Sequence, residues 1–172
     1  MRVIGFAGWS GSGKTSLIER VIALLDARGL SVSLVKHAHH AFDIDHEGKD
    51  SWRHRHAGCR EVMISSGRRW SLMHELRGDA EMPLEALLAK LSDCDLVLVE
   101  GFKRAPIPKI EVYRAEVAEP LLFPDDPHIV AIATDAELDT ALPQLDINDP
   151  QAVADFIVDY AFSLPENSVS MA

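Results

Sequence analysis

Apolar positions along this chain fall into two spacings. Short, nearly unbroken apolar runs occupy residues 3–7, 31–35, 61–66, 96–99, 109–113 and 128–133, the pattern of strands covered on both faces. Between them, Leu17, Val21 and Leu24 alternate with Ile18, Ile22 and Leu25 at helical spacing, which predicts a helix over 16–28 closed by Gly29. Pro83 opens a second helix through Leu91, with Leu84, Leu87, Leu88 and Leu91 on its apolar face. Asp149 and Pro150 open a closing helix whose stripe is Val153, Phe156, Ile157 and Tyr160. A shorter helix is expected over 51–58, and 70–76 reads as a returning edge strand. Strand–helix–strand order demands crossover connections and therefore parallel neighbours. The expected fold class is α/β, three-layered, with a mostly parallel sheet and an antiparallel edge. The 172 residues suit a single domain over 1–164, with 165–172 as a polar, frayed tail.

The first strand runs straight into Gly8-Trp9-Ser10-Gly11-Ser12-Gly13-Lys14-Thr15, and a helix follows at once. This is Gly-x-x-x-x-Gly-Lys-Thr in the strand–loop–helix setting that a phosphate-binding loop requires. Residues without a Cβ let the backbone wrap an anion, and the positive end of the helix favours negative charge. Ser10, Gly11, Ser12, Gly13, Lys14, Thr15 and Ser16 are therefore the expected nucleotide-binding residues. Lys14 is expected on the β- and γ-phosphates and the Thr15 hydroxyl on Mg²⁺. The domain is then a phosphate-loop nucleoside triphosphatase fold. The apolar run 96–99 closes on Glu100-Gly101, and a carboxylate at that strand end is expected beside the metal or one of its waters.

Six of the eight histidines lie between His37 and His56, in a polar stretch without sustained period. Three readings stay open for it: a transition-metal site, an anion or substrate site shared with Lys49, and a structural loop. Arg53, His54, Arg55 and His56 on the short helix are either a solvated basic face or a contact for a phosphorylated ligand. The formal net charge is −10, yet all 17 basic residues and 15 of the 27 acidic ones precede residue 115. An acidic total speaks against a long nucleic-acid footprint. No apolar run approaches the ~20 residues of a bilayer span, and the N-terminus does not read as a signal peptide. Cys59 and Cys94 have no metal-ligand spacing and suit a reduced cytoplasm.

Four motifs in fixed order narrow the field. They are the glycine loop, Lys36-His37-Ala38-His39-His40, Gly48-Lys49-Asp50-Ser51, and the strand end Glu100-Gly101-Phe102-Lys103, with Pro108-Lys109-Ile110-Glu111-Val112 after it. Over roughly residues 1–160 the chain resembles the molybdopterin-guanine dinucleotide biosynthesis protein B family, MobB. The resemblance implies a cytoplasmic, homodimeric GTP-binding protein with weak GTPase activity. It also implies that the protein assists a MobA-type nucleotidyltransferase in attaching GMP to molybdopterin, giving the guanine dinucleotide form. One departure is visible. Guanine is usually read by Asn/Thr-Lys-x-Asp after a late strand, and here that place offers only Thr134-Asp135. The Asp135 carboxylate has the acceptors for guanine N1–H and N2–H₂; a plain strand-end turn is the other reading.

The expected function is thus a GTP-binding accessory protein using Mg²⁺, with Glu100 acting on the metal or its waters. Asp43 or Asp45, in the loop after the second strand, is expected to order the attacking water, and Asp45 is the primary candidate. Two other classes compete: a small-molecule kinase, and a metallochaperone-type GTPase using the histidine run. Against the kinase stands the lack of any Lys or Arg after Arg114, where a basic lid would fall.

Overall fold

Side-chain alternation along each apolar strand decides which layer it meets. In β1 (Arg2–Ala7), Ile4 and Phe6 face one side of the sheet and Val3 the other. In β5 (Leu96–Glu100), Leu96 and Leu98 join the first side while Val97 and Val99 join the second. A period of two thus splits one apolar run between two cores. Helix α1 (Lys14–Ala27) covers the first side through Leu17, Ile18, Val21 and Leu25. Helix α4 (Pro150–Ser163) joins it there through Val153, Ala154, Ile157 and Ala161. The second side is covered by α3 (Leu84–Leu88), through Leu84 and Leu88. Each fully buried Leu, Ile or Val here contributes about 1.5–3 kcal/mol. The three-layer α/β arrangement follows.

The computed structural model describes residues 1–38 and 42–163. The expected tail, together with His39 and His40, lies outside the described residues. The chain divides into two compact units, one formed by Met1–His37 with Leu84–Ala172 and the other by Ala38–Pro83.

The larger unit carries six strands in the order β2-β5-β1-β6-β7-β8. They are β1, β2 (Val32–Lys36), β5, β6 (Lys109–Tyr113), β7 (Ile129–Thr134) and β8 (Gln144–Asp146), and every pairing is parallel. β1 is central, with β5 and β2 on one side and β6, β7 and β8 on the other. Open α/β sheets bind ligands at such a reversal of strand order, at the carboxyl ends. Gly5 sits in the middle of β1 because Lys109 crosses it: a Cβ there would lie 2.6 Å from Lys109 Cγ. The ammonium of Lys109 is buried yet fully partnered. It donates to the backbone oxygens of Lys103 at 2.9 Å and Ala105 at 2.7 Å, and pairs with Asp126 at 2.7 Å.

The smaller unit holds α2 (Asp50–His56) and the antiparallel pair β3 (Glu61–Ser65) and β4 (Trp70–His74). The antiparallel pair stands as a sheet of its own, and does not form an edge of the main sheet. Met73 is the one buried residue among the described residues of this unit, so apolar burial contributes little to it. Arg55 adds a charged cluster to the β3–β4 ladder: its guanidinium meets Asp43 at 2.6 Å, Asp45 at 2.8 Å and Glu75 at 2.8 Å. Arg77 adds donors to the backbone oxygens of Arg55 at 2.8 Å and Cys59 at 3.1 Å. Among the described residues, no helix is long and apolar enough to cross a membrane.

Candidate functional site

The glycine loop needs its glycines for two separate reasons. Gly8, Gly11 and Gly13 have φ of +148°, +82° and +86°, in the region that L side chains rarely adopt. Gly8 also lies so close to β6 that a Cβ would fall 2.4 Å from the backbone oxygen of Val112. Gly13 is the N-cap of α1, and no side chain caps the helix. The first-turn N–H groups therefore have no side-chain acceptor, and the positive end of the helix opens on the loop.

Lys14 arches across this loop. Its ammonium donates to the backbone oxygen of Trp9 at 2.6 Å and to Ser12 Oγ at 3.4 Å. Partial burial lowers the Lys14 pKa; Glu100 opposes that shift, and Lys103 and Lys36 add to it. Trp9 is fixed from both sides: its indole N–H donates to the Pro120 oxygen at 2.7 Å, and Lys103 Nζ lies 3.8 Å from the ring centroid. Three lysines therefore converge on one loop, a surplus of cations that an oligophosphate would neutralise.

Strand register places the carboxylate beside the loop. Phe6 of β1 and Lys36 of β2 both pair with Glu100, from opposite sides of β5. Glu100 is 6% exposed, and its two oxygens are both engaged: Oε1 accepts from Thr15 Oγ1 at 3.1 Å, and Oε2 pairs with Lys36 Nζ at 3.1 Å. Thr15 and Glu100 are thus brought together, 85 residues apart in sequence. One hydroxyl and one carboxylate are hard oxygen ligands, and so sparse a set fits Mg²⁺, which keeps several waters and takes its remaining ligands from phosphate. Gly101, with φ +93°, lets the chain turn against His37: a Cβ would lie 3.1 Å from the His37 oxygen.

Asp135 follows β7 in the larger unit. Its carboxylate accepts from the Ala115 N–H at 3.1 Å and from Arg114 Nη1 at 3.0 Å. Those contacts, the Ala115 amide first, hold its carboxyl below the usual carboxylate range. Asp45 belongs to the smaller unit, where Arg55 encloses it, and the bonds from Arg55 keep its pKa low. Asp43 shares the same guanidinium. Among the described residues no group of three His, Cys, Asp or Glu side chains is placed to hold a metal ion; the His-x-His-His reading falls partly on residues outside that set. A shallow cavity of about 490 Å³ in the smaller unit is lined by Phe42, Ile44, Arg55, Leu72 and Leu76 among others.

Three participants were not legible as site residues in the sequence. Lys36 is read there only as the first residue of a family motif, with no role, yet it is the ion-pair partner of Glu100. Arg114 is visible only as the last basic residue, and its neighbour Asn148 only as the residue before the Asp149-Pro150 helix start. No local pattern gives any of the three its contact, because sheet order makes these contacts.

The family model for "Molybdopterin guanine dinucleotide synthesis protein B" (MobB) matches residues 3–135. The molybdopterin-guanine dinucleotide biosynthesis adapter protein of Escherichia coli K12 is 41% identical over 161 residues, covering 92% of each chain. Its counterpart from Haemophilus influenzae is 43% identical over 155 residues, covering 90% of this chain and 86% of that one. Among solved structures, a molybdopterin-guanine biosynthesis protein B superposes with TM-score 0.71 at 28% identity, covering 92% of this chain and 99% of that one. Bacillus subtilis MobB superposes with TM-score 0.75 at 26% identity, covering 94% and 98%. Matched over most of its length by sequence and by fold alike, this chain belongs to the MobB family.

Proposed function

We propose that this chain is a GTP-binding accessory protein of molybdenum cofactor biosynthesis. In that role it would assist a partner nucleotidyltransferase of the MobA type in forming the guanine dinucleotide of molybdopterin. The observation that carries the nucleotide reading is the Thr15–Glu100 contact of 3.1 Å at the mouth of an uncapped glycine loop. The biosynthetic role is supported by family membership and by relatives that are named adapter proteins of this route.

In this reading the amides of 11–16 bind the phosphates, with Ser10 and Ser12 shaping the loop. Lys14 would exchange its contact with the Trp9 oxygen for the β- and γ-phosphates. Thr15 and Glu100 are the residues that would hold Mg²⁺, which supplies neutralising charge on the phosphate oxygens. Asp45 stays the candidate for ordering the attacking water, and its pairing with Arg55 would have to loosen for that role. Hydrolysis at such a site is positioning and charge stabilisation, and without an arginine on the γ-phosphate it should be slow, since that arginine contributes ~10³–10⁵ in turnover. Asp135 is the candidate reader of guanine.

We further take residues 1–164 as one nucleotide-binding domain, cytoplasmic and homodimeric. One face of the β3–β4 hairpin carries Met63, Trp70 and Leu72 in register, 64%, 65% and 43% exposed, and an apolar face of this kind supports self-association.

The test is a reconstituted assay of cofactor guanylylation with the partner transferase, comparing wild type with Lys14→Ala, alongside a scan of small phosphate acceptors. Wild type should raise the yield, and Lys14→Ala should neither bind GTP nor raise it. Equal stimulation by both would remove nucleotide binding from the mechanism. Stoichiometric phosphorylation of any acceptor would establish the kinase instead.

A further inference from the structure

The glycine loop divides the sheet into two sides. Thr15, Glu100 and Lys36 mark the side of β5 and β2. A nucleotide lying across the loop with its metal-bearing terminal phosphates there must send its nucleoside towards β6, β7 and β8. What stands at that end is an assembled cluster. Arg114, directly after β6, donates from Nη1 to Asp135 Oδ2 at 3.0 Å and from Nη2 to Asn148 Oδ1 at 3.4 Å. Asp135 follows β7 and is tied by the Ala115 N–H at 3.1 Å. Asn148 follows β8, and its own N–H donates to Asp146 at 2.8 Å. The guanidinium also abuts the loop itself: a Cβ on Gly13 would lie 3.4 Å from Arg114 Nε.

This placement gathers positive charge at one point. A guanidinium beside the N-cap of α1 faces the positive end of that helix, whose first turn holds Lys14 and no acidic residue. Asp135 balances one charge, and a bound anion would balance the rest. The bond inventory leaves room for a ligand. A guanidinium has five N–H donors and a carboxylate about four acceptor sites, and the protein contacts above use only part of each.

Resting on the nucleotide reading above, we infer that Arg114, Asp135 and Asn148 form the nucleoside end of the site. Arg114 is its positioning and specificity-determining residue. It fixes the Asp135 carboxylate so that its outer acceptors meet the N1–H and N2–H₂ of guanine, which adenine cannot offer. Because it stands on the β6–β8 side, Arg114 does not act on the γ-phosphate, and its contribution is the same for a diphosphate and a triphosphate.

Isothermal titration with GTP, GDP, ADP and xanthosine diphosphate tests this on wild type, Arg114→Met, Arg114→Lys and Asp135→Asn. Wild type should prefer GDP to ADP. Arg114→Met should weaken GDP and GTP by the same factor, tenfold or more, and narrow the GDP-to-ADP preference. Arg114→Lys should not restore it, since an ammonium does not reproduce the planar fork. Asp135→Asn keeps the shape should Arg114→Met fold poorly, and it should lose guanine preference and gain xanthosine diphosphate. The inference is overturned if Arg114→Met keeps wild-type GDP affinity and base preference, or loses GTP while keeping GDP. A wild type that binds nucleotides without base preference also overturns it, and leaves the phosphate site standing. Only a wild type that binds no nucleotide removes the underlying reading as well.

Discussion

At the scale of single residues, Gly8 and Gly11 look alike in sequence and differ sharply in structure. A side chain on Gly8 would collide with the Val112 backbone oxygen at 2.4 Å, whereas nothing lies within 4 Å of a Cβ on Gly11. Gly11→Ala therefore meets only the positive-φ penalty, about 1–2 kcal/mol. Gly8→Ala adds a clash that the loop and β6 must move to relieve, about 1–3 kcal/mol more. Thermal melts of the two variants should show the larger loss at Gly8; equal losses would mean the loop does not press on β6. Lys14 is a different kind of residue, half-buried and charged over a loop rather than packed in a core. Lys14→Ala is accordingly expected to abolish GTP binding in calorimetry while leaving the circular dichroism spectrum unchanged.

At the scale of elements, the smaller unit depends on charge where the larger depends on burial. Its one buried residue among those described is Met73, while Arg55 ties Asp43, Asp45 and Glu75 into one cluster. Asp45 has a folded pKa held below its ordinary value, chiefly by its bonds from Arg55. Its stabilising contribution is thus present above a pH of about 4 and is lost as pH falls through the folded value. Trp52 and Trp70 lie in the smaller unit and Trp9 in the larger. We expect Arg55→Met to expose 38–83 to limited proteolysis and to shift the fluorescence of Trp52 and Trp70. Wild type should show the same change on acidification below about pH 4, with helix content retained. A single transition shared by both probes would show that the two units unfold together.

At the scale of the whole molecule, charge is unevenly spread along the chain, and apolar surface is unevenly exposed. Every Lys and Arg precedes residue 115, yet folding mixes the two signs, since Asp126, Asp135 and Asp155 pair with Lys109, Arg114 and Arg28. The apolar hairpin face of Met63, Trp70 and Leu72 is the surface we assign to the second copy. Sedimentation should find a dimer in wild type, and Trp70→Glu or Leu72→Lys should give a monomer that still binds GTP. A dimer that survives both substitutions would move the interface elsewhere.

The amino-acid sequence by itself determined what short range decides. A glycine loop has its conformation set within six residues, and strands 1 and 5 are legible because a run of apolar side chains must be covered on both faces. Glu100 is readable because it ends such a run. β8 escaped notice, since three residues with one apolar side chain carry no period. The segment 70–76 reads as a returning edge strand, and its pairing with β3 in a separate sheet was not legible, because a local pattern specifies a strand without saying which sheet it joins. Tertiary structure alone decided the rest: Lys36 on Glu100, Trp9 on Pro120, Arg114 between Asp135 and Asn148. Those contacts depend on strand order and parallel register, and both are fixed by how two faces of one sheet share out their apolar burial across the whole chain.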